Sequence, residues 1–198
     1  METFDFKKND PFKNFEILFH EAQQKGIAEP NAMNLATVDR SGVPSVRVVL
    51  FKGIIQNGFS FFTNYRGKKA QDLEANPHVC LNFFWPQMEK QVRIYGKAVK
   101  LSREENISYF KTRPRASQLG AWTSNQSETI PDFDFLQEKF EKFEKQFENK
   151  EVPCPEHWGG YSVQPTEIEF WFGRVGRMHE RYIYTLKDKQ WQRSLRSP

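Results

Sequence analysis

The sequence predicts an α+β fold, mainly antiparallel β: a barrel of short strands with helices inserted between them. Three observations predict it. Six to eight short segments have strand texture and follow one another closely. Asn57-Gly58 separates two of them with the two-residue signature of a tight hairpin. Between the strands stand helix openings, Asp10-Pro11 and the capping box Ser102-Arg-Glu-Glu105.

In chain order, Asp10 is an N-cap and Pro11 the first helical residue. Phe12, Phe15, Leu18, Phe19 and Ala22 form an apolar stripe that stops at Gly26. Met33 to Val38 is a strand, Asp39-Arg-Ser-Gly42 a turn, and Ser45 to Lys52 the returning strand. Phe59 to Thr63 follows the Asn-Gly turn, and Lys68 to Asn76 reads as a short helix closed by Pro77. Val79 to Trp85 and Gln91 to Leu101 continue a meander. A helix from Ser102 runs to about Lys111, before Arg113-Pro114, and residues 116–130 hold a short helix and a loop anchored by Trp122. Phe133, Leu136, Phe140, Phe143 and Phe147 predict an amphipathic helix with one buried seam. Pro153 and Pro155 end it. Tyr161 to Gln164, Ile168 to Phe172, Glu180 to Thr185 and Trp191 to Leu195 are the last expected strands.

At 198 residues, with no repeat or linker, the chain is expected to be a single domain. Nineteen Phe supply a core, while a mean hydropathy of -0.74 and the lack of any apolar run near the length of a membrane span exclude a helical membrane protein. Residues 1–9 lack the apolar segment of a signal peptide and are expected to be a flexible N-terminal arm. Cys80 and Cys154 give neither a disulfide framework nor metal spacing, so no metal and a cytoplasmic location are expected. The net charge of +4 raises nucleic acid as a partner, but the basic residues are scattered among acids and no nucleic-acid motif accompanies them. Glu138 to Lys145 alternates in sign like a solvated helix face.

Several clusters could do chemistry. Arg47-Val-Val-Leu-Phe-Lys52 is an apolar strand with a charge at each end, where Arg47 is either paired or reaches water from an edge. Phe62-Thr63-Asn64 leads through Gly67 to Lys68-Lys69 at a helix start, which offers N–H groups and ammonium charge to a phosphate, although Gly-Lys-Lys is common on surfaces. Gln91 and Arg93 share a strand face. Tyr109, Arg113 and Ser117 are four apart and describe an oxyanion or phosphate site, with Pro114 breaking the helical register. Near the end, Arg177, His179 and Arg181 alternate with Met178 and Glu180. An extended strand would turn all three to one face, toward an anionic ring-containing ligand or simply toward water. His20, His78 and His157 read as structural or exposed. No dinucleotide, P-loop or nucleophile-elbow motif is present, so the chemistry points to a bound cofactor.

From Asp10 onward the chain resembles the pyridoxine (pyridoxamine) 5′-phosphate oxidase family. The resemblance is carried by Glu29-Pro-Asn-Ala-Met33, Arg47-Val-Val-Leu-Phe-Lys52, Phe61-Phe-Thr-Asn64, Gln91-Val-Arg93, Tyr109-Phe-Lys-Thr-Arg-Pro114, Ser117-Gln118, Gln126-Ser127, Val152-Pro153, Trp158-Gly-Gly160, Glu169-Phe-Trp171 and Arg177-Met-His-Glu-Arg181. It implies an FMN-binding split barrel with peripheral helices and a homodimer with FMN at the subunit interface. It also implies oxidation of pyridoxine or pyridoxamine 5′-phosphate to pyridoxal 5′-phosphate, with O2 reduced to H2O2. By that resemblance Arg47, Val48, Val49, Leu50, Lys52, Phe62, Thr63, Lys68, Lys69, Gln91, Gln126, Ser127, Trp171 and Arg181 contact FMN. Lys52, Tyr109, Arg113 and Ser117 hold the substrate, chiefly its phosphate, and Arg177 and His179 lie against its pyridine ring as the catalytic pair.

Two departures stand out. Gly67-Lys68-Lys69 replaces the family's usual Ser-Arg-Lys, which keeps the charge but loses a bidentate fork. Leu195-Arg-Ser-Pro198 replaces the common Arg-Leu-Ala-Pro, leaving the role of the tail open. Two other functions fit the same fold. A flavin oxidase acting on another substrate, such as a phenazine precursor, would not need Tyr109, Arg113 and Ser117. A non-catalytic FMN- or pyridoxal phosphate-binding protein would not need Arg177 and His179.

Overall fold

The computed structural model describes residues 3–198. Among the described residues nine strands form one antiparallel sheet, in the order β2 (Pro44–Leu50), β1 (Ala32–Val38), β5 (His78–Trp85), β6 (Lys90–Lys100), β7 (Trp158–Phe172), β4 (Gly58–Asn64), β3 (Ile54–Ile55), with β8 (Glu180–Lys187) added to β7 and β9 (Gln190–Leu195) to β8. With five α-helices beside it, the fold is α+β and mainly antiparallel, as expected.

Helix α1 (Pro11–Gln24) begins at Asp10, whose side chain accepts from the Lys13 N–H. Its stripe enters the sheet, with Phe15, Leu18 and Ala22 essentially inaccessible. Phe15 meets Phe59 edge-on at 4.8 Å and Phe83 at 5.0 Å, so the core is built from aromatic rings. Strands β1 (Ala32–Val38) and β2 (Pro44–Leu50) form a hairpin, with Gly42 in the left-handed region at φ +83° within the turn. β3 (Ile54–Ile55) and β4 (Gly58–Asn64) flank a two-residue turn at Gln56-Asn57, both left-handed, one residue before the expected Asn57-Gly58; Gly58 instead opens β4, where a Cβ would stand 2.2 Å from Ser162 Oγ. Helix α2 (Lys68–Ala75) follows β4 directly.

β5 (His78–Trp85) and β6 (Lys90–Lys100) lead to β7 (Trp158–Phe172), fifteen residues long, where two separate strands are expected. Pro165 lies inside it because the pairing with β6 shifts register at Tyr95/Gly96, a bulge that asks for no ladder N–H there. A Cβ on Gly96 would stand 2.2 Å from the Gln164 carbonyl oxygen, so close strand approach requires glycine at the bend. One edge of β7 binds β6. The other edge binds β4 through residues 158–163 and β8 (Glu180–Lys187) through residues 167–172. The sheet therefore splits along β7, and its two ends present different sites.

Helices α3 (Arg103–Thr112), α4 (Arg115–Thr123) and α5 (Phe133–Gln146) pack beside the β4 end over a second cluster that includes Phe110, Leu119, Phe147 and Trp158. The capping box at Ser102 and Glu105 is formed in both directions. The seam expected to be buried on α5 is only partly covered: Phe147 is buried, Leu136, Phe140 and Phe143 are half-buried, and Phe133 is 74% exposed. The first turn of α5 has nothing packed over it, so its periodicity is helical but its apolar face is not a core.

Residues 1–2 of the expected N-terminal arm lie outside the described residues, and the rest of it meets the sheet. Phe4 packs within 4.9 Å of Phe172 and Phe6 within 4.7 Å of Tyr182, so these two rings rest on the sheet while Lys7, Lys8 and Asn9 are exposed. Among the described residues no helix is long and apolar enough to cross a membrane.

Candidate functional site

A cavity of about 720 Å³ opens where β2, β4, α2 and the α3–α4 break converge. That volume lies within the usual range of small-molecule sites. The β2 end contributes Arg47, Val48, Val49 and Leu50, followed by Lys52; β4 contributes Phe62 and Thr63. The start of α2 brings Lys68 and Lys69, and the loop after α4 brings Gln126 and Ser127. Tyr109, Arg113 and Ser117 close the far side, brought together across the helix break at Pro114.

Arg47 is paired. Its Nη1 donates to Thr37 Oγ1 at 2.6 Å and to the Leu35 carbonyl at 3.2 Å, while Nη2 stands 3.7 Å from Asp72 Oδ2. Burial lowers the guanidinium's pKa and Asp72 opposes the shift. The Asp72 carboxylate is nearly inaccessible and also accepts from Thr37 Oγ1 at 2.7 Å and from Lys68 Nζ at 2.6 Å. The bond to Asp72 is the main cause that raises the Lys68 pKa. One buried acid thus fixes two cations at the cavity wall.

Lys69 is the unusual cation. Only 9% exposed, it donates to Thr63 Oγ1 at 3.1 Å and to Gln126 Oε1 at 2.5 Å. Among the described residues no carboxylate lies within ion-pair distance of it. Burial, and secondarily Arg47, pushes its pKa down. Its neighbour Gly67 caps α2 without a side-chain bond, and Ser127 Oγ accepts the Lys68 N–H at 3.2 Å. The helix start, the ammonium groups and these hydroxyls converge on one corner of the cavity, an arrangement of donors that suits an anion.

On the far wall, Tyr109 stacks on Phe62 at 3.9 Å, and Phe62 on Trp158 at 5.3 Å. The Arg113 guanidinium lies over Trp158 at 4.6 Å, held by its face. Burial lowers its pKa, and Arg113 Nη1 is buried without any hydrogen-bond partner. An orphan guanidinium donor beside a cavity matches an anionic ligand that would satisfy it.

Five of the expected residues lie elsewhere. Gln91, Trp171 and Arg181 sit side by side on β6, β7 and β8 at the other end of the sheet, followed by the rung Arg93 and Glu169. Arg177, His179 and Arg181 are not on one extended strand. Val175–Arg177 is a 3-10 turn, Gly176 and Arg177 are left-handed at φ +67° and +61°, and β8 begins only at Glu180. Two successive left-handed residues reverse the backbone, so alternation in sequence does not become alternation in space. His179 instead turns back: its Nδ1 accepts the Arg174 N–H at 3.0 Å and its ring lies 4.7 Å from Trp171. Among the described residues no group of His, Cys, Asp and Glu is placed to hold a metal ion.

Sequence reasoning missed Trp158, Asp72 and Thr37. The spacing of Lys68 and Asp72, four apart on a helix, was the signal for Asp72. Thr37 and Trp158 are placed only by tertiary packing.

The family described as pyridoxamine 5′-phosphate oxidase matches residues 19–147, and that described as pyridoxine 5′-phosphate oxidase C-terminal dimerisation region matches residues 158–198. A pyridoxine/pyridoxamine 5′-phosphate oxidase of Bdellovibrio bacteriovorus is 55% identical over 196 residues, covering 98% of this chain and 100% of the relative. One of the same name from Leptospira biflexa is 53% identical over 189 residues, covering 96% of this chain and 89% of the relative. Among solved structures, PhzG from Burkholderia lata 383, in complex with tetrahydrophenazine-1-carboxylic acid, superposes with a TM-score of 0.93 at 24% identity over 100% of this chain and 98% of its own. A pyridoxamine 5′-phosphate oxidase-related, FMN binding protein of Nostoc punctiforme gives 0.79 at 17% identity, over 98% of this chain and 100% of its own. At such identities these two establish the shared fold.

Proposed function

The chain belongs to the pyridoxamine 5′-phosphate oxidase family, and from that premise we propose that it oxidises pyridoxine and pyridoxamine 5′-phosphates to pyridoxal 5′-phosphate, with FMN as cofactor and O2 as acceptor. One observation carries the reading: a single cavity gathers Arg47, Lys52, Lys68, Lys69 and Arg113, with a buried ammonium lacking a carboxylate partner and a buried guanidinium N–H lacking any partner. Such a cavity is unstable toward emptiness and fits phosphate monoesters.

The donors fit FMN in particular. Arg47, Lys68, Lys69 and Ser127 would hold its phosphate, while the β2 residues Val48, Val49 and Leu50, together with Lys52, Phe62, Thr63 and Gln126, would line the rest. When bound, FMN supplies the two-electron acceptor for a hydride from the substrate C4′ carbon and passes the electrons to O2, giving H2O2. The remaining work belongs to the chain. Lys52, Tyr109, Arg113 and Ser117 neutralise and orient the substrate phosphate, and their stacked wall excludes water from its flank. His179 enters with a fixed tautomer: because Nδ1 accepts the Arg174 N–H, its neutral ring carries the proton on Nε2 and presents a donor there. Arg177 and His179 would lie against the pyridine ring as the catalytic pair.

Gln91, Trp171, Arg177, His179 and Arg181 stand apart from the cavity, and the last four fall within the region described as a dimerisation region. The face of β2 and β5 also leaves Val46 68%, Val48 62% and Phe84 52% exposed. Both observations favour a homodimer in which a second copy completes each FMN site. A cytoplasmic location is part of the same reading.

The test is turnover of purified protein supplied with FMN. Pyridoxine 5′-phosphate should yield pyridoxal 5′-phosphate and an equal amount of peroxide, while unphosphorylated pyridoxine should be a far poorer substrate. Protein that takes up no FMN and forms no product, or that ignores the phosphate, would overturn it.

A further inference from the structure

Glu169 is the most completely bonded carboxylate at the β8 end of the sheet, and the cavity does not account for it. It is 1% exposed. Its Oε1 accepts from Arg181 Nε at 2.9 Å, and its Oε2 accepts from Arg181 Nη2 and Arg196 Nη1, both at 3.0 Å. Arg93 Nη1 lies 3.9 Å from the same oxygen. Arg196 is held further by Glu167, at 3.1 and 3.2 Å. Three guanidiniums therefore stand against two carboxylates, and one positive charge is left over.

The chain end closes this arrangement. Arg181 Nη1 donates to the Ser197 carbonyl at 2.9 Å, and the Arg196 N–H donates to the Arg181 carbonyl at 3.0 Å. Here the residues after β9 (Gln190–Leu195) fold back onto one side chain. A guanidinium has five N–H donors. Arg181 uses Nε–H, one N–H of Nη2 and one of Nη1, which leaves two N–H groups in a fixed orientation. The bidentate grip removes the rotamer freedom a free arginine would lose on binding a ligand.

We propose that Glu169 and the C-terminal pair Arg196-Ser197 form a clamp that presents Arg181, with Trp171 beside it, as a pre-oriented donor to the flavin, so that Glu169 and Arg196 are positioning residues of the cofactor site. The proposal rests on the FMN reading above. It gives the altered tail a role: Leu195-Arg-Ser-Pro198 works through the Arg196 side chain and the Ser197 carbonyl.

Arg196 is the position to change, because its side chain is 41% exposed and its loss spares the core, whereas Glu169→Gln removes the one buried carboxylate that three partly exposed guanidiniums share. Apo-protein of the wild type, Arg196→Ala, Arg196→Lys and a chain ending at Leu195 would be titrated with FMN by quenching of flavin fluorescence. Visible circular dichroism of the bound flavin and light scattering for oligomeric state would accompany each titration. The expected result is a rise in the FMN Kd of about three- to tenfold for Arg196→Ala and for the shortened chain, with an altered flavin dichroism. Arg196→Lys should recover part of the affinity, and the oligomeric state should not change. A Kd within about twofold of wild type with an unaltered flavin spectrum would overturn the clamp. Loss of affinity only in step with loss of the oligomer would overturn it equally, because the tail would then be an interface element. Wild-type protein that binds no FMN would instead remove the reading beneath it.

Discussion

At the scale of single residues, the cavity is paid for by groups that folding alone would not select. Lys69 is buried beside neutral partners, and Arg113 Nη1 is buried with none. Both are cations whose pKa burial pushes down. Each lowers the stability of the empty protein and gains a partner when an anion enters. Lys69→Met keeps the length and apolar character of the side chain while removing the charge. It should leave the thermal midpoint unchanged or raised, yet weaken FMN binding by about tenfold or more, since a charge-assisted contact to phosphate is lost. A thermal melt beside a fluorescence titration checks both halves, and a variant that loses stability without losing affinity would assign Lys69 to the core.

At the scale of elements, the cavity depends on how closely β4 and β7 pair. Phe62 is opposite Gly160 in the register. A Cβ on Gly160 would stand 2.8 Å from Phe62 Cε1 and 2.6 Å from Leu101 Cδ1. Those neighbours must move, and Phe62 is stacked against both Tyr109 and Trp158. Gly160→Ala should therefore cost about 1–3 kcal/mol of stability by overpacking. It should also raise the KM for the phosphorylated substrate, because the wall that carries Tyr109 and Arg113 shifts. Urea unfolding and steady-state kinetics on one preparation would show the two effects together; a stable variant with a wild-type KM would mean the wall is not set by this pairing.

At the scale of the whole molecule, Tyr184 ties three segments of the chain. Its hydroxyl accepts from Asn14 Nδ2 of α1 at 2.9 Å and lies 3.1 Å from the Lys8 carbonyl and 3.3 Å from that of Phe6. Burial, the first cause, raises its pKa from 10.0 to about 12. The folded state thus holds a proton that the unfolded chain releases first. Stability from this group is whole below pH 10.0 and is lost as the pH rises toward about 12. The urea midpoint should fall across that window, and Tyr184→Phe should begin lower and fall less. Parallel pH curves would place the alkaline transition elsewhere.

Much of this was legible in the residues. Asp10-Pro11, the box at Ser102 and Glu105 and the break at Arg113-Pro114 all appear where local chemistry puts them, since caps and turns are decided within a few residues, while the hairpin turn falls one residue early, at Gln56-Asn57. The Lys68-Lys69 helix start and the trio Tyr109, Arg113 and Ser117 were legible as clusters of donors, and the fold brings them to one cavity. Other features depended on contacts remote in sequence. β7 runs as one strand because Gly96, on another strand, bends to meet Pro165. Arg177, His179 and Arg181 part company because Gly176 and Arg177 turn left-handed. The apolar stripe of α5 fixed a helix but not its burial, which depends on what packs above it. Periodicity in sequence determined the kinds of element and the charges available to a ligand. Only the tertiary structure decided which charges share a cavity, because burial and pairing are properties of the space between strands, not of the order along them.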